Sequence, residues 1–144
     1  MSLLVLDASV AVKWFLLAEE PFKDRAMQLL AQSQDGKIDF VIPDLFWAEL
    51  GNVLCKAVRQ GRSTTRDAEE SLRKAKKMEL LAVSSAELIE EAFDIARRHN
   101  RSFYDSIYVA LAVSRQAILV TADEKLANAT AAYLPVKWLG AFQV

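Results

Sequence analysis

The sequence predicts an α/β fold with helices on both faces of a mostly parallel sheet of four to five strands. Short apolar, β-rich runs alternate with helical patterns along the chain, which is typical of α/β folds. The first run, Leu3 to Leu6, is continuously apolar, as expected for a strand buried on both faces. No repeat, low-complexity segment or long linker interrupts the 144 residues. We therefore expect one three-layer domain spanning residues 1–144.

Each further element has a local signal. Apolar residues at helical spacing predict the helices, Pro favours helix starts and Gly favours helix ends, while short apolar runs predict strands. In chain order we predict helices over 9–17 and 21–34, a strand over 40–42, helices over 43–60 and 63–78, a strand over 80–83, helices after 84 and over 102–115, a strand over 118–120, a helix over 123–130 and a strand over 136–139.

Three of the predicted helices carry more specific expectations. Ala68, Leu72 and Ala75 form the one apolar stripe of the charged helix over 63–78. Ser84 and Glu87 have the spacing of a capping box. The helix they begin has an apolar face, and that face comprises Leu88, Ile89, Ala92, Phe93 and Ala96. The helix over 102–115 is apolar nearly all round, so we expect it to be buried.

Composition excludes several classes of protein. A single cysteine and a single histidine leave no zinc site and no internal disulfide, which favours a reducing, cytoplasmic setting. Charged residues interrupt the apolar N-terminal run well short of the ~20 residues that a membrane span needs, so we expect no membrane contact. The net charge of −1 does not indicate a nucleic-acid partner. If four acids were neutralised by metal ions, however, basic side chains would be in slight excess.

Four acidic residues stand at positions where chemistry is expected, although each has a simpler explanation. Asp7 ends the first strand and could cap the following helix. Glu49 could belong to a solvated helix face. Asp105 follows Ser102 at capping-box spacing, and Asp123 lies between Thr121 and Glu124, which have the same spacing. Taken singly, none of these acids requires a function.

Taken together, the acids are harder to explain as caps. Asp7 and Asp123 follow apolar strands, and Asp105 begins the helix that leads to the second of these strands. In a parallel sheet such strand ends share one edge, where ligands bind. Clustered carboxylates repel one another unless a cation compensates them, and oxygen ligands select Mg²⁺ or Mn²⁺ over Zn²⁺. A bound ion of this kind activates water for phosphodiester hydrolysis.

Four segments of the chain resemble the motifs of PIN-domain nucleases, and most closely those of the VapC-type toxins of toxin-antitoxin pairs. The segments are Leu6 to Val10, Pro43 to Asn52, Tyr104 to Ala112 and Leu119 to Leu126, in the order found in the family. The resemblance implies a parallel sheet flanked by helices and an acidic pocket for Mg²⁺ or Mn²⁺. It also implies endoribonuclease activity, a homodimer and inhibition by a small antitoxin that inserts a segment into the pocket.

Carried over by position, the resemblance assigns roles to individual residues. The catalytic and metal-binding acids are Asp7, Glu49, Asp105 and Asp123. The supporting polar residues are Ser9, Asn52 and Thr121. Many relatives carry a further aspartate after the last acid, whereas Glu124 and Lys125 follow here. Whether Glu124 assists a second metal ion is therefore left open. From their positions, Lys13 and Arg101 are candidates to contact RNA phosphate at the pocket rim.

Three alternative functions remain open from the sequence. A haloacid-dehalogenase-like phosphatase also begins with an apolar strand and a nucleophilic Asp, but it needs a second Asp where this chain has Ser9. A phosphoacceptor receiver domain would need an acidic pair after the first strand, which is missing. A non-catalytic PIN module would bind RNA or protein without cutting, and the presence of all four acids argues against it.

Overall fold

The computed structural model describes residues 2–16 and 19–142, and its sheet has five parallel strands. The strands are β1 (Ser2–Leu6), β2 (Ile38–Pro43), β3 (Leu81–Val83), β4 (Ile118–Thr121) and β5 (Val136–Trp138). The helices are α1 (Ala8–Ala11), α2 (Lys23–Gln34), α3 (Leu45–Arg59), α4 (Thr65–Lys77), α5 (Ile89–His99), α6 (Phe103–Arg115) and α7 (Glu124–Thr130). Short 3₁₀ turns lie at Val12–Trp14, Ser85–Glu87 and Leu139–Ala141.

The strand order is β3-β2-β1-β4-β5, which makes β1 the central strand. The chain builds outward from β1 to β2 and β3, and then returns to add β4 and β5 on the other side. The strand order therefore reverses between β1 and β4. In open α/β sheets, ligands bind in the crevice beyond the carboxyl ends of two such strands.

Two hydrophobic cores, one on each face of the sheet, follow from the alternation of side chains along the strands. Leu4 and Leu6 of β1 pack with α1 to α4, whereas Val5 packs with α5 to α7. The predicted three-layer α/β architecture is confirmed. Among residues 2–16 and 19–142, no helix is both long and apolar enough to cross a membrane.

The predicted course of the first helix and the predicted starts of two others are wrong. The first helix is a single turn, Ala8–Ala11, that gives way to the 3₁₀ turn Val12–Trp14, and the predicted end at Leu17 lies outside the described residues. Pro21 precedes α2 by two residues, because Phe22 adopts a left-handed conformation (φ 58°) at the N-cap. Pro43 belongs to β2 rather than to α3. It lies beyond the last residue that β2 pairs with β1, where a missing N–H costs no hydrogen bond to that strand.

The apolar faces of two helices also differ from prediction. In α5, Leu88, Ala92 and Ile95 face the core, while Ile89 and Phe93 are exposed. The 3₁₀ turn Ser85–Glu87 comes before α5, which begins only at Ile89. Ser84 caps that turn by accepting a hydrogen bond from the backbone of Ala86, so the predicted capping box with Glu87 does not form.

In α4, Ala68 and Ala75 are buried as predicted, but Leu72 is exposed and Ser71 takes its place in the stripe. The hydroxyl of Ser71 donates to the carbonyl of Asp67 one turn earlier, which satisfies it inside the helix. Burial of α6 is confirmed, since every residue from Ser106 to Ala112 is buried.

Candidate active site

Asp7 lies at the carboxyl end of the central strand and is almost fully buried, with 9% of its surface exposed. It is the N-cap of α1, because its Oδ1 accepts the backbone N–H of Ser9 at 3.2 Å. Its Oδ2 accepts the hydroxyl of Thr121 at 2.7 Å. Burial nevertheless raises the pKa of Asp7 above its usual value, and the negative charge of Asp105 adds to the increase. The two hydrogen bonds oppose that shift without cancelling it.

Thr121 connects the ends of β1 and β4. Its side chain is fully buried, and its Oγ1 donates to Asp7 while accepting the backbone N–H of Asp123 at 3.1 Å. Ser9 makes a second connection, since its Oγ accepts the backbone N–H of Ala122 at 3.1 Å. These bonds hold the chain after β4 against the chain after β1. They place Asp7 and Asp123 at one edge of the sheet.

Asp123 and Asp105 both lie at the starts of helices, at α7 and α6. Asp123 is itself the N-cap of α7, with its Oδ1 accepting the backbone N–H of Leu126 at 3.2 Å, so the alternative cap formed by Thr121 and Glu124 is wrong. At α6, Ser102 Oγ accepts the backbone N–H of Asp105 at 3.1 Å, as its spacing predicted. That cap uses the main chain of Asp105 and not its carboxylate.

Glu49 lies on α3, which begins after β2 at the same edge of the sheet. Its side chain is partly buried, and its Oε1 is buried without a hydrogen-bond partner among the described residues. Burial raises the pKa of Glu49, and the charges of Asp7 and Asp105 raise it further. The hydroxyl of Tyr108 lies close enough to lower that pKa in part.

The other three predicted acids lie around Asp105. Burial is the main cause of the raised pKa of Asp105, and the negative charge of Asp123 raises it further. The hydroxyl of Ser102 and the positive charge of Arg101 act against these effects. Asp105 also repels Asp7 and Glu49, so each of the other three acids lies within electrostatic reach of it.

The donor set fits a hard divalent cation. The clustered side chains offer carboxylate and hydroxyl oxygens, three acids carry raised pKa values, and the Oε1 of Glu49 has no hydrogen-bond partner in the part of the chain that the structure describes. Within the described part of the chain, no three Asp, Glu, His or Cys side chains stand close enough to form a ready-made metal cage. Separated carboxylates are compatible with Mg²⁺, which keeps several waters and uses few protein ligands.

The remaining predicted residues differ in their placement. Asn52 and Glu124 are exposed on α3 and α7, and their supporting roles stay predictions. Arg101 is partly buried near Asp105, which fits a position at the rim. The rim position predicted for Lys13 is wrong. This side chain is buried in the 3₁₀ turn after α1, and its Nζ lies 3.7 Å from Glu20 Oε1.

Tyr108 is a site neighbour that the sequence did not reveal. It lies in the run of apolar residues that predicted a buried helix, and its ring does pack in the second core. Its spacing of three residues from Asp105 puts the two on adjacent positions of one helix face, which was the one available signal. Its hydroxyl lies near Asp7 and Glu49, since both charges raise the pKa of Tyr108 beyond the increase that burial causes.

Comparison with known proteins identifies the family. The family model of the PIN domain matches residues 4–132, which include all four acids. The chain belongs to the PIN-domain family. The phosphatase and receiver alternatives depended on the β1–α1 segment. Because the PIN family model matches that segment, we set those alternatives aside.

Similar PIN proteins extend the comparison over most of the chain. Ribonuclease VapC3 of Pyrobaculum aerophilum is 31% identical over 127 residues, which cover 87% of this chain and 92% of that protein. Among solved structures, PAE2754 of the same organism has a TM-score of 0.68 at 23% identity, over 96% of this chain and 85% of that one. A chain of a toxin-antitoxin complex from Klebsiella pneumoniae has a TM-score of 0.61 at 15% identity, over 97% of this chain and 98% of that one. These two structures share the fold.

Proposed function

We propose that this PIN protein is an endoribonuclease that requires Mg²⁺ or Mn²⁺ and acts as the toxin of a toxin-antitoxin pair. The observation that carries the proposal is the buried Asp7 carboxylate, whose raised pKa results from burial and from the nearby charge of Asp105. Asp7, Glu49, Asp105 and Asp123 would hold the cation at the edge shared by β1, β2 and β4. A carboxylate cluster of this kind is stabilised by a cation that offsets its repulsion.

The resemblance to ribonucleases supports RNA as the substrate. VapC3, which aligns with 87% of this chain, carries the name ribonuclease. When bound, a divalent ion would activate a water molecule and stabilise the leaving oxygen of the phosphodiester. The residues of the chain prepare this chemistry. Thr121 and the Ser9 backbone orient Asp7, and Glu49 brings a second partly buried carboxylate to the same edge of the sheet.

A small antitoxin is the proposed protein partner. The fold is shared with a chain from a Klebsiella pneumoniae toxin-antitoxin complex. An antitoxin segment would enter the acidic pocket, where a basic side chain would offset the same repulsion that a cation does. We also propose that the protein forms a homodimer and acts in the cytoplasm as a single domain over residues 1–144.

A cleavage assay tests the proposed function. Wild type and Asp105→Asn are incubated with tRNAs, rRNA fragments and mRNAs in Mg²⁺, in Mn²⁺ and in EDTA. We expect wild type to cut at least one RNA with either metal, EDTA to stop cleavage, and Asp105→Asn to be inactive. Cleavage that persists in EDTA or in Asp105→Asn would contradict the proposal. Binding of RNA without cleavage under all conditions would favour the non-catalytic PIN module.

A further inference from the structure

Tyr108 has a buried hydroxyl without a hydrogen-bond partner among the described residues. Only 2% of the residue is exposed, and its ring fills the core between the sheet and α5 to α7. Buried hydroxyl groups in proteins are normally hydrogen-bonded, so an unpaired one requires an explanation. A phenylalanine would fill the same core without leaving a polar atom unpaired. The hydroxyl is therefore not needed for packing.

The Oε1 of Glu49 is also buried without a partner. The two unpaired atoms belong to neighbouring groups, because the Tyr108 hydroxyl affects the pKa of Glu49 and the Glu49 charge affects that of Tyr108. Both lie near Asp7, whose charge acts on each of them. Among the described residues, the acidic site thus has a buried donor and a buried acceptor without partners, and they belong to neighbouring groups.

We propose that Tyr108 is a positioning residue whose hydroxyl donates to Glu49 Oε1 and fixes that carboxylate beside Asp7 for cation binding. This inference rests on the proposed function, because it assigns a role within the same metal site. Hydrogen-bonding partners of metal ligands set ligand orientation and affect metal affinity strongly.

A phenol suits this position better than a cationic donor does. Lys or Arg would neutralise the carboxylate and oppose the cation, whereas a neutral hydroxyl donates a hydrogen bond and leaves the negative charge in place.

The experiment compares Tyr108→Phe with Tyr133→Phe, a matched loss of one hydroxyl at a residue that is 81% exposed. Binding of Mn²⁺ alone is measured by water-proton relaxation, and unfolding temperature is measured without metal. We expect Tyr108→Phe to weaken Mn²⁺ binding by about 10–100-fold, the range typical for loss of a partner of a metal ligand. The metal-free variant should still unfold in one cooperative transition, because the phenylalanine ring fills the same place in the second core. Tyr133→Phe should match wild type in Mn²⁺ binding.

A double-mutant cycle separates positioning from packing. In a Glu49→Ala background, which removes the acceptor, Tyr108→Phe should change Mn²⁺ affinity by less than about 2-fold, since the hydroxyl acts through Glu49. An equal loss in both backgrounds would overturn the proposal, as would unchanged Mn²⁺ affinity in Tyr108→Phe. If one of these two results were found while wild type bound Mn²⁺ and cut RNA, only the role of Tyr108 would be overturned and the proposed function would remain. A wild type that did neither would overturn both.

Discussion

Asp7 and Asp44 follow neighbouring strands at the same edge of the sheet, yet their surroundings affect them in opposite ways. Asp44 is exposed, and its Oδ1 accepts hydrogen bonds from the hydroxyl and the backbone N–H of Ser85. These bonds lower the pKa of Asp44. Asp7 also accepts two hydrogen bonds, but burial raises its pKa despite them.

The difference separates a carboxylate with a structural role from one available for chemistry. Asp44 ties the start of α3 to the turn before α5, and its charge is stabilised by the donors around it and by water. The charge of Asp7 is insufficiently compensated, and Asp105 and Glu49 lie nearby with the same deficiency. An acid at the end of a strand therefore does not identify a site by itself. An acid that is buried and repelled by the charges of neighbouring acids does identify one.

The largest effect is expected from replacing Asp7 with asparagine. Asp7→Asn should reduce RNA cleavage by more than the roughly 100-fold that loss of a metal ligand's partner can cost. Asp44→Asn, the matched control, should cleave like wild type. Both should fold, because Asn can cap α1 in place of Asp7 and Asp44 is exposed. Single-turnover cleavage rates of the two variants and wild type measure the effect. Comparable losses in both variants would contradict the claim that Asp7 is catalytic and Asp44 is structural.

Removal of the Thr121 hydroxyl should have the next largest effect. Thr121→Val leaves the Asp123 N–H and Asp7 Oδ2 without this partner, so we expect a loss of about 1–3 kcal/mol in the free energy of unfolding. Cleavage should fall about 10–100-fold. Thr130→Val is the control, because the equally buried Thr130 hydroxyl donates only to the Leu126 carbonyl within α7. Urea denaturation and cleavage rates measure both variants, and equal activity loss in the two would refute a site role for Thr121.

The stability of the metal-free protein should depend on pH with a sign that sets Asp7 apart from Asp44. An acid with a raised pKa stabilises the fold below its unfolded pKa, and that stability is lost as pH rises through the folded pKa. Asp7, Glu49 and Asp105 are of this type, so the unfolding temperature should rise as pH falls from about 7 to about 5. The rise should be smaller in Asp7→Asn.

Asp44 provides the opposite case. Its lowered pKa means that its contribution is present above the unfolded pKa and is lost only as pH falls through the lower folded value. Asp44→Asn should therefore leave the slope between about pH 7 and about pH 5 unchanged. Calorimetric melting in EDTA across this range measures the slopes. A falling unfolding temperature on acidification would show that the three acids are not held under repulsion.

The smallest effect is expected at Arg101. Its charge lowers the pKa of Asp105, and we expect it to meet one RNA phosphate at the rim. Arg101→Gln should weaken RNA binding uniformly across sequences and reduce the slope of log affinity against log salt by about 1. Arg115→Gln, at the opposite end of α6, is the control for loss of one charge. Equal salt slopes for the two variants would exclude a phosphate contact specific to Arg101.

The sequence predicted the sheet, its layers and the convergence of Asp7 with Asp123, because strand ends in a parallel sheet share an edge. It did not predict the 3₁₀ turns before α5 and after α1, and it missed which residues of α5 face the core and that Lys13 is buried. Tyr108 could not be distinguished from core by its pattern. Its importance depends on which polar atoms lie beside its hydroxyl, and residues distant in sequence determine that.

The central claim is that buried acids which repel one another form a cation site. Calorimetric titration of Mn²⁺ into metal-free wild type, Asp7→Asn and Asp44→Asn tests it. We predict saturable binding to wild type and Asp44→Asn, accompanied by proton release that increases as pH falls, and no binding to Asp7→Asn. Equal binding to all three folded proteins, or to none of them, would contradict it.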